Sequence, residues 1–187
     1  MKWDGEMKRF GTSLAGIALV LTSANAFATP APSSRAILAE IMRIGAKATV
    51  EELSKGGRRT QFDSVLDRIG SGDPAWIALA PKLATGTDGE ASEGLGIALA
   101  EALPKNPGAV LRTIDPGNPL ILGPARVCGM PFIEPSRGFL RRYRTRALKA
   151  LAQMRDPAVE QMKVTCISIL RGADGTGRSD PGAESTP

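Results

Sequence analysis

The 187 residues are enough for one ordinary domain with its own core. Hydrophobic residues make up 42% of the chain and charged residues 23%, a balance that excludes an intrinsically disordered protein. Aromatic residues reach only 4%, so the core must be aliphatic, and the alanine-rich and leucine-rich segments predict helices rather than sheets. The net charge of +5 is too small to require an anionic partner.

Residues 1–28 have the pattern of a secretory signal peptide. Lys8 and Arg9 form a basic region, and a short apolar segment follows. Ala26 and Ala28 supply the small residues that a signal peptidase reads, so we predict cleavage after Ala28. The apolar segment is well short of the roughly 20 residues that a membrane span needs. A membrane anchor and a buried core helix are therefore the weaker interpretations.

Cleavage at this site predicts a periplasmic or secreted protein without a transmembrane segment. The start is either Met1 or Met7, because residues 1–6 add two acids that a signal peptide rarely carries. Cleavage would remove three of the 24 basic residues and two of the 19 acidic residues, leaving a net charge of +4. That charge suits an anionic partner without demanding one.

Capping residues and apolar stripes predict a series of helices over residues 33–171. Ser33 or Ser34 can cap the first helix, which we expect to run to Leu53 and to end at the following glycine pair. The second helix ends at Gly70. The stripes of these two helices are Ile37, Leu38, Ile41, Ile44 and Ala48, and then Phe62, Val65, Leu66 and Ile69.

Proline and capping signals divide the next segment into short helices. Asp73-Pro74 reads as an N-cap followed by a first-turn proline, and Pro81 must kink or shorten the helix that begins there. Residues 87–90 (TDGE) form a capping-box pattern for a helix that ends before Pro104. Asn106-Pro107 repeats the cap-plus-proline pattern.

Residues 115–136 interrupt the helical pattern. Five prolines and three glycines prevent a long helix, yet the segment is too apolar for a solvated linker. We predict an ordered, extended proline-rich loop that packs on the helices.

Two further helices and a tail complete the chain. One begins after Ser136, and Asp156-Pro157 starts the last one. The polar, glycine-rich tail over 172–187 is predicted to be disordered. The predicted fold is all-α: a bundle of short antiparallel helical hairpins with the spacing of HEAT-type repeats and one ordered proline-rich loop.

Cys128 and Cys166 are the two cysteines of the chain. In an oxidising compartment an even count indicates a disulfide, and this one would stabilise by roughly 3–4 kcal/mol. Two separate buried thiols are the alternative. A zinc site is disfavoured because the chain contains no histidine, and we expect no metal or cofactor.

Several short runs resemble a group of small secreted bacterial helical proteins. They are residues 62–67 (FDSVLD), 72–76 (GDPAW), 86–88 (GTD), 97–103 (IALAEAL) and 127–128 (VC). The resemblance covers roughly residues 36–170. It implies the helical fold and the cysteine pair, and it brings no activity and no site residues with it.

The absence of histidine also limits the chemistry. It removes the serine–histidine and cysteine–histidine mechanisms and the usual general base. Asp88, Glu90 and Glu93 remain as carboxylates for acid–base cleavage of a wall polymer, although the helix dipole alone favours acids in a first turn. Gly94 and Gly96 lie inside a helix, which favours close helix packing over a dinucleotide site. We therefore predict no catalytic residues.

The best surface candidate is a basic stretch of thirteen residues that contains no acid. Its members are Arg137, Arg141, Arg142, Arg144, Arg146 and Lys149. Such a patch can bind an acidic protein or the phosphates of an anionic envelope component. The alternative is a solvated helix face partly paired with Glu134, Asp156 and Glu160. Nucleic acid is not an expected partner, because an exported chain rarely meets it.

The leading functional hypothesis is a non-enzymatic periplasmic or secreted protein-interaction module, with an immunity or inhibitor protein as one version. An envelope-associated protein that binds anionic lipid or wall polymer is the alternative. A carboxylate-dependent cell-wall hydrolase is the third.

The export hypothesis makes a direct prediction. Replacing Ala26 and Ala28 by leucine should leave an unprocessed precursor, because signal peptidase requires small residues there. Ala31→Leu, beyond the predicted site, should be processed normally. Mass spectrometry of the purified wild-type protein should give a chain that begins at Thr29, and a chain that begins at Met1 or Met7 would contradict the hypothesis.

Overall fold

The computed structural model describes residues 32–172. The predicted signal peptide therefore lies outside the described residues, and so does the predicted tail apart from Gly172. That glycine is the last residue of the final helix.

The described chain is all-α, as predicted, and contains no strand between residues 32 and 172. Its helices are α1 (Ser34–Ile44), α2 (Ala46–Leu53), α3 (Gln61–Gly70), α4 (Pro74–Ile77), α5 (Ala80–Ala84), α6 (Gly89–Ala102), α7 (Pro107–Leu111), α8 (Pro124–Cys128), α9 (Arg137–Gln153) and α10 (Glu160–Gly172). A 3₁₀ turn, Pro157–Val159, precedes α10. None of these helices has the length and apolar character needed to cross a membrane. The hairpin arrangement with HEAT-like spacing stays a prediction.

Side-chain caps account for most of the helix starts. In each case the side-chain oxygen of the N-cap accepts a hydrogen bond from a backbone N–H of the first turn, which otherwise has no partner. The predicted caps confirmed in this way are Ser33, Asp73, Asn106, Ser136 and Asp156. The predicted effect of Pro81 is also confirmed, because α4 ends before it and α5 begins next to it.

The capping box predicted at residues 87–90 does not form. Asp88 is the N-cap of α6 but accepts no capping hydrogen bond, and the Thr87 hydroxyl donates back to the carbonyl of Ala84 at 3.3 Å. The Thr87 side chain therefore bonds to the end of α5 instead of capping the start of α6. A capping box occurs at α3 instead, where Thr60 and Asp63 bond reciprocally. The hydrogen bonds from the backbone and hydroxyl of Thr60 hold the pKa of Asp63 below its usual value.

The prediction of a single first helix that reaches Leu53 is wrong, because the helix is interrupted at Gly45. This residue has φ +86, a conformation that glycine adopts without the strain of a side chain. The break lets α2 pack against both α1 and α5. Gly86, beyond the end of α5, lies so close that an added Cβ would be 2.3 Å from the carbonyl carbon of Ala46.

Helix α6 is the centre of the core. It packs against α3, α5, α7 and α8, and most of its apolar side chains are fully buried. Burying one leucine stabilises a protein by about 1.5–3 kcal/mol. Glycines permit the close contacts predicted for α6: a Cβ on Gly94 would lie 2.7 Å from Leu66, and a Cβ on Gly96 would lie 2.8 Å from Arg126.

The prediction that residues 115–136 are extended is wrong. The segment first makes a compact turn, in which the Asp115 N–H donates to the Leu122 carbonyl at 2.9 Å, and then forms α8. Pro124 is the first residue of α8, a position where the missing N–H costs nothing. The packing is uneven, since Leu122 is buried whereas Leu120 is 82% exposed.

The predicted cysteine pair is confirmed. The sulfur atoms of Cys128 on α8 and Cys166 on α10 lie at bonding distance, with their Cα atoms 5.3 Å apart. Both residues are fully buried. The bond ties the proline-rich segment to the last helix.

Replacing both cysteines by alanine should lower the free energy of unfolding by about 3–4 kcal/mol, because the unfolded chain is no longer cross-linked. Circular dichroism should show the helix content retained, since α1 to α6 pack without the bridge. Urea denaturation measures the loss, with the reduced wild-type chain as the matched comparison. Two free thiols found by alkylation of the denatured, unreduced protein would contradict the bridge.

Candidate functional site

Helix α9 presents its basic residues to solvent, as the sequence predicts. Its buried stripe is Tyr143, Ala147 and Leu151, while Leu140, one turn before Tyr143, is half-buried. The exposed basic residues, which we call the basic face, are Arg137, Arg141, Arg142, Arg146 and Lys149. Arg144, the remaining member of the predicted patch, is half-buried.

Two of the three acids expected to pair with the basic face, Asp156 and Glu160, bind elsewhere. Asp156 pairs with Arg112, and Glu160 pairs with Lys163 at 3.1 Å. Within residues 32–172, no acidic side chain lies at ion-pair distance from any member of the basic face. Among residues 32–172 the positive charges of this face therefore have no ion-pair partner.

Tyr143 fixes α9 to the core. Its hydroxyl donates a hydrogen bond to the Ala100 carbonyl of α6 at 2.8 Å. Burial raises the pKa of Tyr143, so the hydroxyl keeps its proton and stays a donor. Phe132 packs edge-on against Phe139, with ring centroids 4.9 Å apart, and against Tyr143 at 4.8 Å. These contacts attach the segment after α8 to α9.

A cleft runs along the outer stripe of α6. It consists of adjoining concavities that share lining residues, the largest of about 530 Å³. Along one side, α6 and the turn after it contribute side chains three or four positions apart, namely Glu90, Glu93, Ile97, Glu101 and Lys105. The other side is apolar over its central part, where the lining residues are Phe132, Ile133, Pro135 and Phe139. We call this groove the cleft.

The two ends of the cleft carry opposite charge. Asp88, Glu90 and Glu93 line one end, together with the single base Arg58. Lys105 lines the other end and donates to the Gly70 carbonyl. Arg146 lies at that same end and also belongs to the basic face, so the cleft and the face are continuous.

The apolar wall of the cleft is built on a strained backbone. Residues 129–135, which we call the strap, contain Met130 at φ +61 and Glu134 at φ +46. These are the two non-glycine residues with positive φ in the part of the chain that the structure describes. Such conformations cost about 1–3 kcal/mol each and persist when their surroundings enforce them. Here the disulfide holds one end of the strap, and the N-cap of α9, Ser136, holds the other.

Two neighbouring apolar side chains of the strap point in opposite directions. Phe132 turns inward onto the aromatic rings, and Ile133 turns outward and is 70% exposed. This wall was not predicted, because the apolar residues of the segment were all expected to pack on the helices. Nothing in the local pattern distinguishes the exposed isoleucine from the buried phenylalanine.

The predicted carboxylate group lies at the acidic end of the cleft. Asp88, Glu90 and Glu93 are all exposed, and Glu93 is 3.9 Å from Arg126. The positions of Asp88 and Glu90, before and in the first turn of α6, are accounted for by the helix dipole. No cluster of potential metal ligands occurs among residues 32–172. The hydrolase hypothesis gains no support from this geometry and stays a prediction.

The strained conformation of Glu134 is open to a stability test. Glu134→Gly should leave the free energy of unfolding unchanged or raise it by up to about 1 kcal/mol, because glycine adopts positive φ freely. Glu134→Val should lower it by about 1–2 kcal/mol. The control is Glu51→Gly in α2, which should cost about 1 kcal/mol in a regular helix. Equal losses for the two glycine variants in urea denaturation would contradict the assigned conformation.

Comparisons with family models, with curated proteins and with solved structures found no match for this chain, so the residues themselves carry the functional argument.

Proposed function

We propose that the mature chain is a non-enzymatic, exported protein-interaction module that binds an acidic protein partner through the basic face of α9. The observation that carries the proposal is that no acid of residues 32–172 forms an ion pair with that face. The acids nearest in sequence after α9 pair with Arg112 and Lys163 instead.

The spacing of the basic residues supports this proposal. Arg137 and Arg141 are four residues apart on α9, and so are Arg142 and Arg146. Like charges at this spacing destabilise a helix by about 0.2–0.5 kcal/mol per pair. A partner that places carboxylates opposite the arginines relieves this repulsion, and guanidinium groups bind carboxylates in a bidentate manner. Repulsion between arginines in the free chain is thus replaced by attraction to carboxylates in the complex.

The acids beside the basic face favour a protein over an anionic lipid or wall polymer. The cleft that continues from Arg146 is lined by Glu101 and, farther along, by Glu90 and Glu93. A membrane surface or an anionic polymer carries one sign of charge throughout, so these carboxylates would repel it. A protein surface can carry both signs. An immunity or inhibitor role is one version of the proposal, by class analogy from size, export signal and disulfide.

Charge reversal tests the basic face. The triple variant Arg141→Glu, Arg142→Glu and Arg146→Glu should lose at least about tenfold in retention of the acidic partner at low salt. Wild-type retention should also fall near 1 M salt, where the Debye length is about 3 Å. The measurement is pull-down from an envelope extract with immobilised mature chain, with the retained protein quantified and identified.

The matched control is the triple variant Arg35→Glu, Arg68→Glu and Lys82→Glu, which makes the same charge change at exposed sites outside α9. It should retain the partner, and both variants should melt within a few degrees of the wild type. Equal retention by both triple variants would overturn the proposal. Retention of the chain by anionic lipid vesicles, lost only in the α9 variant, would support the lipid alternative instead.

A further inference from the structure

From the shape and charge of the cleft we infer the form of the partner segment. It is a single amphipathic helix of the partner protein that lies along α6 with its N-terminus at the acidic end and its C-terminus at the basic end. This inference rests on the proposed function, since it takes the occupant from the protein bound at the basic face.

The dimensions of the cleft suit a helix. From Glu90 to Glu101 the lining residues of α6 span about 16 Å at the rise of an α-helix, which is roughly three helical turns. An extended peptide normally binds by adding a strand to a sheet edge. Residues 32–172 contain no strand, so they offer no such edge. A helix needs only an apolar groove, because its own backbone groups are already bonded.

The middle of the cleft provides the apolar contact. Ile97 of α6 faces Phe139 and the outward-turned Ile133 across it. Ile133 is 70% exposed, so its side chain gives the free chain little packing energy. Apolar side chains of a partner helix spaced at i, i+3, i+4 and i+7 would cover this surface.

The charge at the two ends fixes the direction. A helix carries about half a positive charge at its N-terminus and half a negative charge at its C-terminus. Glu90 and Glu93 therefore favour an N-terminus, particularly one that carries basic residues. Lys105 and Arg146 outnumber the one carboxylate that lines that end, Glu101, and so favour a C-terminus with carboxylates, which then continue onto the basic face. Acidic residues at that end of the helix agree with the acidic partner of the proposed function.

Synthetic helical peptides are the probes. Each is held helical by a side-chain staple, because lysines in the first turn and glutamates in the last turn oppose the helix dipole. Each has one face of leucine, isoleucine or phenylalanine, lysines in its first turn and glutamates in its last turn. Fluorescence anisotropy with labelled peptide and purified mature chain should show saturable binding. A peptide of the same composition with the charges exchanged between its ends should bind at least about tenfold more weakly. Equal binding of both, or binding of neither, would overturn the inference.

A pair of single substitutions locates the peptide. Ile133→Ser, in the cleft, should weaken binding by about tenfold or more through the loss of buried apolar contact. Leu120→Ser is the matched control, because Leu120 is 82% exposed and lies outside the cleft. Both variants should melt as the wild type does, since neither side chain is packed. An equal effect of the two substitutions on peptide affinity would overturn the inference.

The two hypotheses fail in distinguishable ways. If reversal of the α9 arginines abolishes partner retention but Ile133→Ser leaves it unchanged, the basic face binds the partner and the cleft does not. That result would overturn the helix inference alone. Concentration-dependent dimerisation of the free chain, lost in Ile133→Ser, would identify a second copy as the occupant and would also overturn it.

Discussion

The hydrogen bond from Tyr143 to the Ala100 carbonyl is the contact on which the candidate site depends. In a continuing helix the N–H of residue 104 would bond this carbonyl, but residue 104 is a proline and has no N–H. The Leu103 N–H reaches it only in a tighter turn, at 3.2 Å. The buried phenol of Tyr143 on α9 supplies the second donor. The carbonyl at the end of α6 and the buried hydroxyl of α9 thus satisfy each other's hydrogen bonding.

This junction aligns the parts of the site. With Tyr143 fixed on α6, Phe139 lies one turn before it and Arg146 nearly one turn after it on the same side of α9. Phe139 packs against Phe132 of the strap, and Arg146 lies where the cleft meets the basic face. The apolar and charged parts of the site are therefore positioned by one rigid helix, which suits recognition of a partner that presents both kinds of side chain.

Local signals in the sequence were sufficient for features that depend on a few neighbouring residues. The N-caps at Ser33 and Ser136 and the proline start of α4 follow from backbone hydrogen bonding within one turn. The cysteine pair follows from the even count and the predicted oxidising compartment. The break at Gly45 was not predictable, because the helical pattern continues through it and the packing of α2 on α5 is a tertiary contact. The cleft was missed for a similar reason, since its walls are about 35 residues apart in sequence.

The disulfide has a consequence for the order of assembly. The strap and all of α9 lie between Cys128 and Cys166, whereas α6 lies outside that covalent ring. A chain that crosses a membrane with its N-terminus first delivers α6 early, but the ring cannot close until α10 has arrived. One wall of the cleft is thus present before the other is fixed. Under the proposed export, the surface that we propose binds the partner is therefore the last part of the domain to be completed, and closure of the ring requires an oxidant beyond the membrane.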